Sequence, residues 1–454
     1  MGFQQGLSGL NAASQQLDVI GNNISNANTV GFKQATAQFA DVYANSLTGG
    51  GSSNAVGIGV KVANVSQQFT QGNISNSNNP LDIAINGNGF FRMSTNGAIT
   101  YTRNGQFSLD KNGNIVNAQG AQLTGYVADA NGVLATGSAA PLNINTSDIS
   151  PQQTTTVNAV MNLNSTDLVP GTQKPVATPP VVTPTAFNPT LSSTYNETTS
   201  TTVYDSLGNS HIVQTYYVRI DPTATPPAVA GTTEWNVYAT VDGNLFDNTG
   251  ALTPAASPAV PIGKLAFNNM GVLQGANPSF SATSPNALKM IVPVSSGALT
   301  PINTTANIKF DFTSSTQFSS QSGQTGVTTM KQDGFASGKL TKFSAAKDGT
   351  IVGTYTNGQT KVLGQVVLAG FTDPNGLQSL GDNQWGETSA SGQALVGAPG
   401  SGSQGVLTSQ ATEDSNTDLT GQLVQMITAQ RVYQANAQTI KTQDQVLQTL
   451  VNLR

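Results

Sequence analysis

Heptads at both ends constrain this chain most. Counting in sevens from Leu419 puts Leu419, Leu423, Met426, Tyr433, Ala437, Ile440, Leu447 and Val451 on a and d positions, with Gln430 and Asp444 as polar interruptions. A 3,4 spacing held this long predicts a helix that buries a narrow seam against another helix. The lead-in from Glu413 to Asp418 supplies N-cap residues and negative charge for the positive end of the helix dipole. No glycine or proline follows Gly421, and Arg454 stands at the end where a cation is favoured.

The partner is expected at the other terminus. Counting from Phe3 gives Phe3, Leu10, Leu17 and Ile24 in one row, and Gly6, Ala13, Ile20 and Ala27 in the other. Large residues facing small ones let a second helix approach closely. Asp18 is the only ionisable side chain between Met1 and Phe32, so protein rather than water should surround this helix. Gly2, Gly6, Gly9 and Gly21 each weaken it by about 1 kcal/mol relative to alanine, so it should form mainly when packed. The seams fit either a helix pair within one chain or ends that fold upon assembly.

Composition narrows the classes. At 454 residues the chain can hold two or three domains. Charged residues make up 9%, against a usual value of about 25%, and Asn, Gln, Ser, Thr and Gly replace them. A net charge of -5 without a basic run argues against nucleic acid or an anionic membrane as partner. No stretch approaches the ~18 apolar residues of a membrane span, and the start lacks the pattern of a cleaved secretory signal. Zero cysteines exclude disulfide and thiol chemistry.

Taken in order, the chain predicts a mostly β protein with helical termini paired as a coiled coil. Two antiparallel β domains are expected, the outer one inserted into the inner one. Residues 1–33 and 409–454 are read as the terminal helical core, and 34–75 and 394–408 as linkers. A short helix is expected from Ala35 to Leu47, then a flexible break from Gly49 to Ser53 and an extended segment from Val56 to Phe69. Residues 76–150 and 321–393 form the expected inner domain, because Asn96-Gly97, Asn104-Gly105, Asn112-Gly113, Asn131-Gly132, Asp348-Gly349 and Asn357-Gly358 are hairpin signals. The outer domain is assigned to 151–320, opening with a Thr/Pro-rich stretch from Pro170 to Pro189 that should be extended and exposed.

Catalytic candidates are thin. His211 is the only histidine, and in a strand-like run beside Asn209 and Ser210 it reads as a surface residue. Asp110-Lys111-Asn112-Gly113-Asn114 begins like a calcium loop but lacks the glycine and closing glutamate, which favours a hairpin turn. Gly87-Asn88-Gly89 lacks the third glycine of a dinucleotide fingerprint. Carboxylate pairs for glycoside hydrolysis are a spatial matter with no specific support here. No enzyme, cofactor or metal site is expected.

Asn22-Asn23-Ile24-Ser25-Asn26-Ala27-Asn28-Thr29-Val30-Gly31-Phe32-Lys33 resembles the N-terminal signature of the bacterial flagellar rod and hook axial proteins. Gly87 to Arg92, Tyr101 to Phe107 and Gln119 to Tyr126 resemble motifs of that family's inner β domain, and Leu423 to Leu453 its closing helix. Asp333 to Leu340 and Asp348 to Gly353 resemble hook subunits in particular, as does the long insertion.

The resemblance implies a structural subunit that assembles into a curved, flexible tube, a universal joint carrying motor torque from rod to filament. It implies export through the flagellar type III apparatus without a cleaved signal peptide. The implied location is extracellular, in the hook and basal body. Implied neighbours are further copies of the chain, the distal rod protein, the hook cap protein, the hook–filament junction protein and the hook-length control protein. Assembly residues are then expected on the seams, at Phe3, Leu10, Leu17, Ile20, Ile24, Leu419, Leu423, Met426, Tyr433, Ile440, Leu447 and Val451. The family motif residues are Asn22, Asn23, Asn26, Asn28, Thr29, Gly31, Phe32 and Lys33. Few charges should leave contacts between outer domains weakly directional and able to slide. The alternatives are a distal rod protein, a secreted β-rich adhesin and a secreted glycan hydrolase.

Overall fold

The computed structural model describes residues 2–42, 57–145, 147–171, 186–221, 231–253, 259–277, 279–281, 284–293, 308–319 and 326–452. The break from Gly49 to Ser53, most of the Thr/Pro-rich stretch and Arg454 lie outside them. Helix α1 spans Gly2–Ser25 and helix α2 spans Leu419–Asn452, with strands between. Asp418 caps α2, its Oδ1 accepting from Thr420 N at 3.0 Å. The two helices pack together.

The chain divides into two compact units, Met1–Ser147 with Leu340–Arg454, and Asp148–Lys339. In the first unit, Ala35–Val42 pairs antiparallel with Gly59–Gln67 as a two-stranded ribbon. This overturns the expected helix from Ala35 as far as Val42; the remainder to Leu47 lies outside the described residues. The reason is local. Asn23 grips both backbone groups of Ala35, accepting from its N–H at 2.9 Å and donating to its C=O at 2.8 Å, which directs the chain into the ribbon.

The main sheet of this unit runs Leu340–Ala345, Thr350–Tyr355, Thr360–Val366, Gln122–Val127, Phe90–Thr95, Ala98–Thr102, Gln384–Gly386, Gln378–Gly381, all neighbours antiparallel. Side chains alternate along a strand, so adjacent phenylalanines serve different cores. Phe91 joins Met93, Leu123, Ile351 and Val366, whereas Phe90 joins Tyr101 and Trp385 in an aromatic cluster with Phe69 and Phe371. The expected linker 394–408 and the start of the terminal helical core at 409 are also corrected. Val406–Ser409 pairs with Ile83–Asn86, and Ala411–Glu413 pairs with Ile74–Asn76.

The second unit packs two sheets over one core. One sheet holds Ser279–Ser281, Ser284–Met290, Ile308–Asp311, Thr156–Asn162 and Gly326–Gln332. The other holds Glu197–Tyr204, Ser210–Arg219, Thr232–Val241, Gly263–Asn268 and Leu273–Asn277. Val157, Met161 and Phe310 from the first meet Tyr217, Trp235 and Phe267 from the second, as in a sandwich. Two expectations change. Thr156–Asn158 runs parallel to Lys309–Asp311, so the unit is not wholly antiparallel. Gly326–Gln332 pairs with Thr156–Asn162, and Gln152 with Phe335, so the segment through Lys339 belongs to this unit rather than beginning an inner domain at 321.

A recurrent turn closes many hairpins. At Asp110, Asn117, Asp129, Asp205, Asp247 and Asn268 the side-chain oxygen accepts from the backbone N–H groups two and four residues on. The third residue on is always a glycine with φ between 73° and 86°. This is a type I turn followed by a left-handed residue, which glycine adopts without strain. Asp110 is thus a turn former, and these hydrogen bonds, chiefly the one from the Asn114 side chain, hold its carboxyl below the ordinary value. Asn104-Gly105, expected to be a hairpin turn, is instead a close approach: a Cβ on Gly105 would lie 1.7 Å from the Ile83 carbonyl oxygen.

His211 is corrected as well. It is buried, with Nδ1 2.8 Å from Asp242 Oδ2 and Nε2 3.7 Å from Asp205 Oδ2.

Candidate assembly site at the base of the terminal helices

The helix pair is closest where α1 is smallest. A Cβ on Gly6 would meet Ile440 Cγ1 at 3.0 Å, and one on Gly9 would meet the Asn436 side chain at 2.8 Å. Gly6, Ala13 and Ile20 are buried, while Leu10, Leu17 and Ile24 are half-buried and Phe3 is exposed. On α2, Met426 and Ile440 are half-buried, but the neighbouring buried row is Gln422 and Ala429, continued by half-buried Asn436 and Gln443. Leu419, Leu423, Tyr433, Leu447 and Val451 are exposed. The helix is turned by one position from the counted heptad, because polar and small side chains admit α1 more closely than leucines do. Leu423, Val424, Ile427, Val432, Val446, Leu447 and Val451 are therefore left exposed along α2.

Beneath the helices the motif residues act as a clamp. Asn23 is buried and also donates to Gln422 Oε1 at 3.2 Å, joining α1 to α2. Asn22 and Asn26 bond each other, Thr29 Oγ1 donates to Asn26 Oδ1 at 3.2 Å, and Asn28 is exposed. Phe32 is half-buried, its N–H donating to Thr29 O at 3.2 Å. Gly31 has φ 72°, and a Cβ there would sit 2.6 Å from Asn104 N. Gly31→Ala should cost about 1–3 kcal/mol from the left-handed backbone alone. Thermal unfolding of that variant, expected to show a lowered midpoint, checks this.

The clamp closes on a buried carboxylate. Glu413 is 0% exposed; its Oε1 accepts from Lys33 Nζ at 2.6 Å and Gly72 N at 2.9 Å, and its Oε2 from Arg103 Nε at 2.8 Å. Its backbone oxygen accepts from Gly31 N at 2.8 Å. Lys33 Nζ also donates to Thr70 O, and Arg103 Nη1 to Gly87 O and Gly89 O. Burial alone would raise the Glu413 carboxyl, but Arg103 and Lys33 outweigh it and hold it below the ordinary value. Burial pulls the Lys33 ammonium down, with Glu413 resisting. Asn416 ties the entry of α2 to the ribbon root, accepting from Gln34 N at 2.8 Å and donating to Gln68 O at 2.7 Å.

The site therefore joins four separate stretches of chain and fixes where both helices leave the β unit. Sequence reasoning assigned Glu413 and Asn416 only to the helix lead-in and missed Gln422. Scarcity of charge was the available signal: in a chain with 9% charged residues, each one is a candidate for a specific role. Among the described residues no group of His, Asp and Glu is arranged to hold a metal, and no helix is long and apolar enough to cross a membrane.

Family models match four segments of the chain. Residues 3–33 match "Flagella basal body rod protein", 84–159 "Flagellar hook protein FlgE/F/G D1 domain", 162–335 "Flagellar basal body protein FlaE D2 domain" and 408–453 "Flagellar basal body rod FlgEFG protein C-terminal". Fold, clamp and matches together define a structural subunit of the flagellar rod-and-hook class. The flagellar hook protein FlgE of Salmonella typhimurium is 43% identical over 456 residues, covering 100% of both chains. That of Escherichia coli K12 is 41% identical over 460 residues, again covering 100% of both. The chain belongs to the flagellar hook protein FlgE family. A crystal structure of Helicobacter pylori flagellar hook protein FlgE2 aligns with 73% of this chain and 98% of its own at 13% identity, with a TM-score of 0.49.

Proposed function

We propose that copies of this chain join through their terminal helices into a curved, flexible tube that carries torque from the flagellar rod to the filament. The observation that carries this reading is the series of exposed apolar side chains along α2. Valines, leucines and an isoleucine recur along it in solvent, ending at Val451, 74% exposed. So many exposed apolar side chains on a helix otherwise rich in uncharged polar groups mark a surface made to be covered. The clamp supports the same reading, since a buried three-charge anchor fixes where the terminal helices leave the β unit. Export in an unfolded state, without a cleaved signal, belongs to the proposal. So does docking at the tube's ends to the distal rod, hook cap, junction and length-control proteins.

Electron microscopy of the full-length chain under polymerising conditions is the test. Curved tubes are the expected result. Straight, rigid rods would favour a distal rod role, and monodisperse particles at every concentration would overturn the proposal.

A further inference from the structure

The first unit contains a cavity of about 660 Å³, of a size that takes a peptide side chain together with its backbone. Phe69, Phe90 and Phe371 line it, with Arg103, Gln404 and Leu395. Its polar groups are incompletely used. Arg103, 4% exposed, spends Nε on Glu413 and Nη1 on the Gly87 and Gly89 carbonyls, but its Nη2 is buried without a partner. Gln404 donates through Nε2 to Leu368 O at 3.1 Å and Leu395 O at 2.8 Å, and its Oε1 is buried without a partner. A buried, unpaired donor and a buried, unpaired acceptor in one cavity call for an occupant that supplies both complements. A peptide group does so, and an apolar side chain beside it would meet the three phenylalanines.

At the rim, Leu395 is 64% exposed and Val396 40%, so the apolar surface continues outward from the cavity. We propose that this cavity is a receptor for an extended, apolar-bearing segment of a second copy of the chain. The proposal rests on the assembly reading above. An open helical polymer needs heterologous contacts, in which a concavity on one subunit takes a different part of the next. Arg103 makes the receptor consequential, since its Nε holds Glu413, the anchor of the helix base. A subunit seated in the cavity thus abuts the side chain that positions its neighbour's terminal helices.

The chain has no cysteine, which permits a direct test in the full-length protein. Ser403 is exposed and lines the cavity, so Ser403→Cys should react readily with a maleimide in the monomer. In assembled tubes its labelling rate should fall by roughly tenfold or more. Leu395→Asp, at an exposed position, should leave the monomer's melting midpoint unchanged and raise the assembly threshold by roughly tenfold. Labelling at the monomer rate within tubes, or assembly of Leu395→Asp at the parent threshold, would overturn the receptor while leaving the tube intact. If the parent chain forms no polymer, the assembly reading fails and the receptor with it.

Discussion

Replacing Glu413 by glutamine should destabilise the unit formed by the two ends of the chain by about 3–5 kcal/mol, because Lys33 and Arg103 would remain buried with no counter-charge. For a unit of this size that lowers the melting midpoint by on the order of 10 °C. The variant also has a pH signature. The Glu413 carboxyl lies below its ordinary value in the folded chain. Its stabilisation is therefore fully present above the unfolded carboxyl value of about 4.3 and is lost as pH falls through the folded one. Parent and variant melting curves should differ at neutral pH and converge in acid. A constant gap across that window would show that Glu413 acts through packing rather than charge.

A second large effect is expected on assembly with none on the fold. Leu423 and Ile427 are exposed on α2 and one turn apart, so Leu423→Glu with Ile427→Glu should leave the monomer's melting midpoint and helix content unchanged. In a polymer that covers this face, the pair would forfeit about 1.5–3 kcal/mol of apolar burial at each site and also desolvate two carboxylates. No tubes should form at concentrations several hundredfold above the parent threshold, a factor corresponding to roughly 3–4 kcal/mol per contact. Sedimentation of the assembled fraction measures it. Tubes forming at the parent threshold would mean that Leu423 and Ile427 face solvent in the polymer.

The ends of this chain were legible because a period of 3.5 over many turns has only one physical use, and the hairpins because Asn-Gly pairs fit few other backbone shapes. The misreadings share a cause: a distant side chain overrode a local pattern. Ala35 to Val42 looks helical from its alanines, yet Asn23 holds Ala35 in the ribbon. The heptad count chose leucines for α2, whereas Gln422 and Ala429 are the buried positions and Asn436 and Ile440 meet the glycines of α1. Four hairpins, at Asn117, Asp205, Asp247 and Asn268, carry no Asn-Gly; their signal is an Asp or Asn three residues before a glycine. His211 read as exposed because Asp205 and Asp242, which enclose it, arrive from separate hairpins. Lys33, Arg103 and Glu413 each sit in polar surroundings in the sequence, and nothing local marks them as partners. The far edge of the second unit was misplaced because Gly326–Gln332 has its mate in Thr156–Asn162, across the whole insertion.

The clamp also sets a timetable. Val406–Ser409 completes the pairing of Ile83–Asn86, and Glu413 neutralises Lys33 and Arg103, so the first unit cannot close until residue 413 has been synthesised. Contacts of such long sequence separation bear a loop-closure cost before they return any stabilisation, and they form late. Until residue 413 is available, Lys33 and Arg103 lack the counter-charge that lets them be buried. An early stop codon anywhere upstream would yield a chain that never closes, rather than a smaller version of the same unit.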